Sequence, residues 1–505
     1  MNLAKNLENA ARNNPDRTAI RHEGEHITFG ELNRACNRLA NGLTAAGLGP
    51  GDRCLAMLPN SIHQITLYYA LAKMGAVAVP VNFLYRSFEL GRIMDDARPQ
   101  GFVGAEPYLA EPRKVLGRID NAPPVRFALD AGDDRQFKDL REAYADNSEF
   151  ALHPTRDEAT FKILYTSGTT GAPKGVMLSH WNLGRNAEVL ASMRGSIDPD
   201  AVVIGALPLY HVYGITSVIN VSIYLGITIE LFTHFDPERI VRVIEGETRT
   251  LFFGVPTMLN RLIQAASGNP PVRSSLQFCI SGGASLPVEF IQRFESVFQT
   301  EIHEGYGLTE CPVCVENPYD RETKPGSIGL PIPEFDAMVV DEEHRPLPAG
   351  SVGELLIKGP AVMQGYWNRP EESAEALRGG WLHTGDLARM DEDGFIYIVD
   401  RKKELVIRGG FNVYPREVEE VLYQIPGVSE AAVYGVPHQD LGEEVAAVVF
   451  LDKGARLEEE DIRRYVKERV APYKYPRIVH IADAPLPKSG SGKILKKEVK
   501  KKYLL

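Results

Sequence analysis

At 505 residues the chain is too long for one ordinary domain, so two or three packed units are expected. Apolar residues make up 44% and charged residues 24%, the balance of a soluble globular protein, and a net charge of −11 excludes a general electrostatic grip on nucleic acid. Cys36, Cys54, Cys279, Cys311 and Cys314 are few, odd in number and scattered, which excludes a disulfide framework and fits a reducing cytoplasm.

The chain opens without the continuous apolar core of a secretory signal. Leu3, Leu7, Ala10 and Ala11 instead fall on one side of a short amphipathic helix. Residues 62–74 have helical spacing, and residues 76–81 read as a short buried strand. Residues 161–165 form a strand entering a glycine-rich loop, and residues 176–178 the strand that leaves it. Ser179 is placed to cap a helix through residues 181–193. Residues 212–229 carry no charge over eighteen positions, the length of a membrane span, but Ser217, Asn220 and Ser222 within them predict a buried helix followed by a core strand. Further strands are expected at 251–255, 278–281 and 338–340. This alternation predicts an α/β fold with sheets flanked by helices.

A change of texture follows the charge run Asp400, Arg401, Lys402, Lys403 and Glu404. Beyond it, strands are expected at 405–407, 431–435, 445–451 and 478–481, with helices at 415–423 and 457–470, enough for a compact α+β unit. Lys488, Lys493, Lys496, Lys497, Lys500, Lys501 and Lys502 crowd the tail, which reads by itself as a solvated, frayed end. Cys311 and Cys314 form a CxxC with no second ligand pair for zinc and no thioredoxin-like context, so both read as pocket or core residues.

The loop at 165–175 reads YTSGTTGAPKG. Gly168, Gly171 and Gly175 permit backbone conformations closed to other residues. Hydroxyls of Thr166, Ser167, Thr169 and Thr170, with nearby backbone N–H groups, can surround phosphate oxygens, and Lys174 adds a cation. It is not a Walker loop, which needs Gly-Lys-Ser/Thr opening a helix. Here Pro173 precedes Lys174, Gly175 follows it, and a strand comes next.

With the motifs that follow in order, the whole chain resembles the adenylate-forming superfamily, which contains AMP-forming acyl-CoA synthetases, luciferases and peptide-synthetase adenylation domains. Tyr210, His211, Val212, Tyr213 and Gly214 resemble the aromatic segment beside the acyl group. The segment Ser281-Gly282-Gly283-Ala284 and the run Glu304-Gly305-Tyr306-Gly307-Leu308-Thr309-Glu310 resemble the adenine and α-phosphate segments. The run Trp381-Leu382-His383-Thr384-Gly385-Asp386 resembles the ribose motif, and Lys488-Ser489-Gly490-Ser491-Gly492-Lys493 the motif that carries the catalytic lysine.

The resemblance implies a large N-terminal adenylation domain over 1–400 and a small mobile C-terminal domain over 401–505, with a hinge near 400–403 at Lys403. It implies that Lys493 bridges the carboxylate and the α-phosphate, and that Thr309 donates to that phosphate. Glu310 would hold Mg²⁺, and Asp386 would bind the ribose with help from Arg401. Arg408, Gly409, Gly410 and Phe411 would begin the face that admits coenzyme A after rotation. Such groups answer a chemical need. A carboxylate and ATP are both anionic, so positive charge and donors must be preorganised where they meet.

The expected activity is therefore ATP-dependent acid–thiol ligation: an acyl-adenylate forms with release of pyrophosphate, and then acyl-CoA and AMP. The expected acyl lining, with Ser281, Gly282 and Cys314 beside the aromatic segment, is apolar or small, which favours a medium- or long-chain fatty acid. An aryl or hydroxycinnamate-type acid is the alternative, and Arg261 could meet a short dicarboxylate. A stand-alone adenylation enzyme that loads a carrier-protein thiol and a non-catalytic nucleotide-binding protein are the other classes weighed. The partners expected are the acid, ATP and CoA, with no nucleic acid and no transmembrane segment. Peripheral membrane contact and a homodimer are left open.

Overall fold

The computed structural model describes residues 2–132, 134–166, 173–194, 197–266, 274–490 and 492–503. Ser167, Gly168, Thr169, Thr170 and Gly171 of the glycine-rich loop, and Ser491 of the tail motif, lie outside the described residues.

Local signals set the elements. The helix Ile62–Met74 starts where the Ser61 hydroxyl accepts from the Gln64 N–H, and it ends at Gly75 with a positive φ of 71°. Every residue from Gln64 to Met74 is buried, as befits a helix apolar on all sides. Ser179 caps His180–Met193 by accepting from the Asn182 N–H. The uncharged stretch becomes the π-helix Gly214–Asn220, the α-turn Val221–Leu225 and the strand Thr228–Leu231. The wider π winding has no signal in the periodicity, but π turns recur at functional sites. No helix among the described residues is long and apolar enough to cross a membrane.

Two large sheets build the N-terminal part. In one, the strands Thr18–His22, Thr228–Leu231, Val202–Gly205, Thr250–Gly254, Leu276–Ser281 and Ile302–Tyr306 lie side by side in parallel. Val315–Glu316 and Leu330–Pro331 extend that edge antiparallel. In the other, Val125–Leu129, Gly101–Ala105, Arg53–Met57, Val77–Pro80 and Thr160–Thr166 run parallel, and Lys174–Ser179 returns antiparallel. A continuous apolar core joins the two sheets, and a second core covers the outer face of the latter. An antiparallel sheet of Asp336–Val340, Gly353–Lys358, Leu382–Met390 and Ile396–Arg401 follows.

Residues beyond 405 pack around separate apolar clusters. Their sheet orders Phe411–Val413, Val406–Arg408, Gly442–Leu451 and Val428–His438, with Ile478–Ala482 parallel to Gly442–Leu451. Pro415–Tyr423 and Glu459–Lys467 are its helices. The lysine-rich tail corrects the expectation of a frayed end. It folds as the helix Lys496–Tyr503, with Val499 fully buried, Lys500 donating to the Gly435 carbonyl, and Lys496 Nζ 2.8 Å from Glu419 and 3.4 Å from Glu404. Val499, the partly buried Tyr503 and half-buried carboxylate partners order a strongly cationic helix, and those partners are invisible in a local window.

Candidate active site

The C-terminal ends of the parallel strands Thr250–Gly254, Leu276–Ser281 and Ile302–Tyr306 deliver Val255, Gly282, Gly283, Ala284 and residues 307–310 to one cleft of about 2400 Å³. Ligands of open α/β sheets sit at such carboxyl ends, because the loops there converge and the backbone is free to turn away. The cleft is closed from the other side by residues 400–405 and by Gly490, Gly492 and Lys493.

Its polar wall is a connected set. Asp386 is 4% exposed and pairs across the antiparallel ladder with Arg401. The Tyr306 hydroxyl donates to Asp386 Oδ2 at 2.6 Å, and Arg401 Nε lies 3.2 Å from Oδ1. The Tyr366 hydroxyl donates to Glu310 Oε1 at 2.9 Å, and Lys174 sits 4.8 Å over the Tyr366 ring while pairing with Glu372. Thr166 and Thr309 line the same space. Glu304 is buried with Oε1 unpartnered, and burial pushes its carboxyl up to about 8 against the opposing pull of Arg416.

The tail brings Lys493 into this wall. The turn before it is closed by Lys493 N donating to Ser489 Oγ at 3.2 Å and by Ser489 N donating to the Lys493 carbonyl at 2.8 Å. Gly492 adopts φ +83°, and its carbonyl accepts from Thr257 Oγ1 at 3.2 Å. A side chain at Gly490 would overlap the Tyr210 hydroxyl, so glycine is what lets the turn lie on the acyl segment. Burial, reinforced by the Arg401 cation, lowers the Lys493 ammonium to about 8, while Asp386 and Glu404 hold it up.

Tyr210, His211, Val212, Tyr213 and Gly214 lie along the cleft together with Gly282, Gly305, Tyr306 and Gly307. The Tyr213 hydroxyl donates to the Ile280 carbonyl at 3.1 Å. Burial, with Lys493 nearby, lowers His211 to about 4, which keeps it a neutral wall group rather than a cation. Two expected acyl-pocket residues are not on the wall. Ser281 is 1% exposed with its hydroxyl turned inward and unpartnered, and Cys314 is fully buried with Sγ 3.7 Å from the Tyr306 carbonyl. Strand alternation explains the first: Ile280 and Gly282 line the cleft, and the residue between them faces the core.

Of the residues expected to meet coenzyme A, Lys403 lines the cleft, whereas Arg408, Gly409, Gly410 and Phe411 do not. They form a hairpin elsewhere on the C-terminal unit. Arg408 is held by Glu444, and Phe411 is 57% exposed and stacked 4.7 Å from Tyr473. Arg261 reaches the cleft rim, its guanidinium 5.3 Å over the Phe235 ring. Tyr366, Glu372, Thr257, Arg194 and Glu316 were not singled out by sequence. Each stands outside a recognisable motif and gains its place only through the fold.

A large cleft at the carboxyl ends of a parallel sheet, with the Lys493 ammonium brought to it by the tail, is suited to an enzyme that joins an anionic nucleotide to an anionic partner. Residues 7–367 match the family described as AMP-binding enzyme, and residues 417–493 match the AMP-binding enzyme C-terminal domain. The chain belongs to the AMP-binding enzyme family. It is 39% identical to a long-chain-fatty-acid–CoA ligase of Bacillus subtilis, over 98% of this chain and 93% of that one. It is also 39% identical to a feruloyl-CoA synthase of Amycolatopsis, over 98% and 97% of the two chains. ATP-bound MatB from Rhodopseudomonas palustris, 34% identical, superposes with a TM-score of 0.90 over 100% of this chain and 99% of that one. The apo form of the same MatB reaches 0.78, over 99% and 98%.

Proposed function

We propose that the protein is an AMP-forming acid–CoA ligase in which Lys493 serves the first half-reaction. The observation that carries the reading is the seating of the Gly490–Gly492 turn on Tyr210 and Thr257, which holds Lys493 beside Asp386 and Arg401. A carboxylate oxygen of the acid attacks the α-phosphorus of ATP, the bond to the β-phosphate oxygen breaks, and pyrophosphate leaves. Lys493 offsets the charge where the two anions meet, Thr309 donates to the α-phosphate, and Asp386 accepts from the ribose hydroxyls. Gly283, Ala284, Glu304 and Gly305 border the nucleotide, while Thr166 and Lys174 face the departing phosphates. The thiol of coenzyme A then attacks the acyl carbonyl and AMP leaves.

Magnesium fits this site as a companion of ATP. Among the described residues no group of three or more His, Cys, Asp or Glu side chains could hold a metal alone. Glu310, steadied by Tyr366, supplies one hard oxygen, and the remaining ligands would be phosphates and water. When bound, the ion would neutralise charge on the outer phosphates.

We place the domain boundary and hinge at 400–403. Lys402 N donates to the Gly385 carbonyl at 3.0 Å and its ammonium lies 3.7 Å from Glu354, while Asp400 Oδ2 accepts from the Arg416 N–H at 3.0 Å, so this short segment touches both units. Rotation there would withdraw Lys493 and bring the Arg408–Phe411 hairpin toward the acyl-adenylate. For the acid, a medium- or long-chain fatty acid is the first reading, supported by the mostly apolar lining and the Bacillus subtilis relative. An aryl acid is the second, supported by the aromatic Tyr210 and Tyr213 and the feruloyl-CoA synthase. Five free, buried cysteines suit a reducing cytoplasm. Exposed Leu84 and Phe88 would face a membrane surface if the enzyme collects its acid there, and a homodimer belongs to the same reading. Acid-dependent ATP–pyrophosphate exchange, followed by CoA-dependent release of AMP, tests the function. Exchange without any CoA dependence would point to a different thiol acceptor, and no exchange with any acid would refute the ligase.

A further inference from the structure

The acyl side of the cleft is not apolar throughout. Gly305 and Glu316 face each other across the antiparallel pair Ile302–Tyr306 and Val315–Glu316, so they share one face of the sheet. A Cβ built at Gly305 would stand 3.4 Å from Glu316 Oε2. The missing side chain is what opens the carboxylate to the cleft, which Glu316 lines. Behind it Arg194, at the end of the helix His180–Met193, donates from Nε to Oε1 at 3.1 Å and from Nη2 to Oε2 at 2.9 Å. The Tyr319 hydroxyl donates to Oε1 at 2.6 Å. Both charged side chains are 1% exposed, and Arg194 Nη1 has no hydrogen-bond partner among the described residues.

Stability does not account for this pair. A buried ion pair costs desolvation that its attraction barely offsets, and apolar residues of similar volume commonly replace one without loss. A buried donor left unpaired adds a further penalty. Oε2 has one hydrogen-bond partner and capacity for another, so toward the cleft the pair offers one acceptor. Because Arg194 already neutralises the carboxylate, a neutral donor such as a hydroxyl suits it better than a second cation.

We propose that Glu316, positioned by Arg194, is a specificity-determining residue that recognises a hydroxyl on the acid, distal to its carboxylate. The hydroxyl donates to Glu316 Oε2 in the space left open by the missing side chain at Gly305, while Arg194 holds the carboxylate in place from behind. A second carboxylate is disfavoured there, because Glu316 would repel it. The inference rests on the ligase reading and narrows its substrate to hydroxylated acids, on either an aromatic ring or an aliphatic chain.

The test compares kcat/KM for CoA ligation within two matched pairs: cinnamate with para-hydroxycinnamate, and dodecanoate with ω-hydroxydodecanoate. In at least one pair the hydroxylated acid should be preferred by about tenfold or more, because a site built to bond a hydroxyl rejects the analogue that lacks it. The paired replacement Arg194→Met with Glu316→Leu removes both charges together and should erase that preference while leaving the KM for ATP unchanged. The pair that shows the preference identifies the acyl body. A preference clearly below about tenfold in both pairs for the unaltered enzyme overturns the inference, whatever the variant does. A preference that survives in the double variant also overturns it. Acid-dependent pyrophosphate exchange separates the two levels: exchange without hydroxyl preference removes this inference alone, and exchange with no acid removes the ligase reading beneath it.

Discussion

Thr257 Oγ1 donates to the Gly492 carbonyl at 3.2 Å, across 235 positions of sequence. This single bond pins the lysine-bearing turn to the helix Pro256–Ala266, which begins just beyond the strand that delivers Val255.

If Lys493 serves only the first half-reaction, Lys493→Ala will lower acid-dependent pyrophosphate exchange by about a thousandfold. Transfer to CoA from a supplied acyl-adenylate will remain largely intact. Rapid-quench measurement of the two half-reactions distinguishes them, and equal loss in both removes the assignment.

Lys493 is charged below its lowered pKa of about 8, which burial and then Arg401 set. Adenylation kcat/KM for ATP should therefore fall as pH rises through about 8. Asp386 and Glu404 favour the charged form, and Lys496 opposes it. Lys496→Met removes a repelling cation and frees Glu404, so the falling limb should move to higher pH. A limb that stays in place, or moves down, would show that another group controls it.

Gly492→Ala tests the docked turn. The added Cβ would stand 2.9 Å from Thr257 Oγ1 and 3.0 Å from Val255 Cγ2, at a backbone φ of +83°. The strain of about 1–3 kcal/mol predicts roughly a tenfold to hundredfold loss of adenylation. Transfer to CoA, with the turn undocked, should be spared. Unchanged pyrophosphate exchange would mean that the turn is not seated during adenylation.

Asp386→Asn weakens the acceptor shared by Tyr306 and Arg401. A charge-assisted hydrogen bond is worth about 1.5–3 kcal/mol, so kcat/KM for ATP should drop by about one to two orders of magnitude. Tyr306→Phe, which keeps the carboxylate, should cost less. Steady-state kinetics with ATP varied at saturating acid measures both, and a larger loss for Tyr306→Phe would assign the nucleotide contact to the tyrosine instead.

Much of the local structure was legible because its causes are local. Ser61 and Ser179 cap helices, Gly75 ends one, and apolar runs become the parallel strands. That Thr309, Glu310 and Asp386 share one cleft was legible because they sit in motifs whose order repeats a known design. Ser281 and Cys314 were misplaced on the wall because a one-residue step along a strand or turn reverses the direction of a side chain. The tail was misread because a run of lysines looks solvated until Glu404, Glu419 and the Gly435 carbonyl are brought to it from elsewhere in the chain.

By itself, then, the sequence determined the reaction class, the α/β architecture and those polar-wall residues that sit in motifs, Thr309, Glu310 and Asp386 among them, since each is written in short motifs with fixed internal spacing. Only the tertiary structure decided where Lys493 stands, that Glu316 looks into the cleft, and that Arg194 lies behind it with a donor to spare. The physical reason is that these are relations between distant segments. They depend on strand register, on the absence of a side chain at Gly305, and on the docking of one unit against another, none of which a local window of sequence contains.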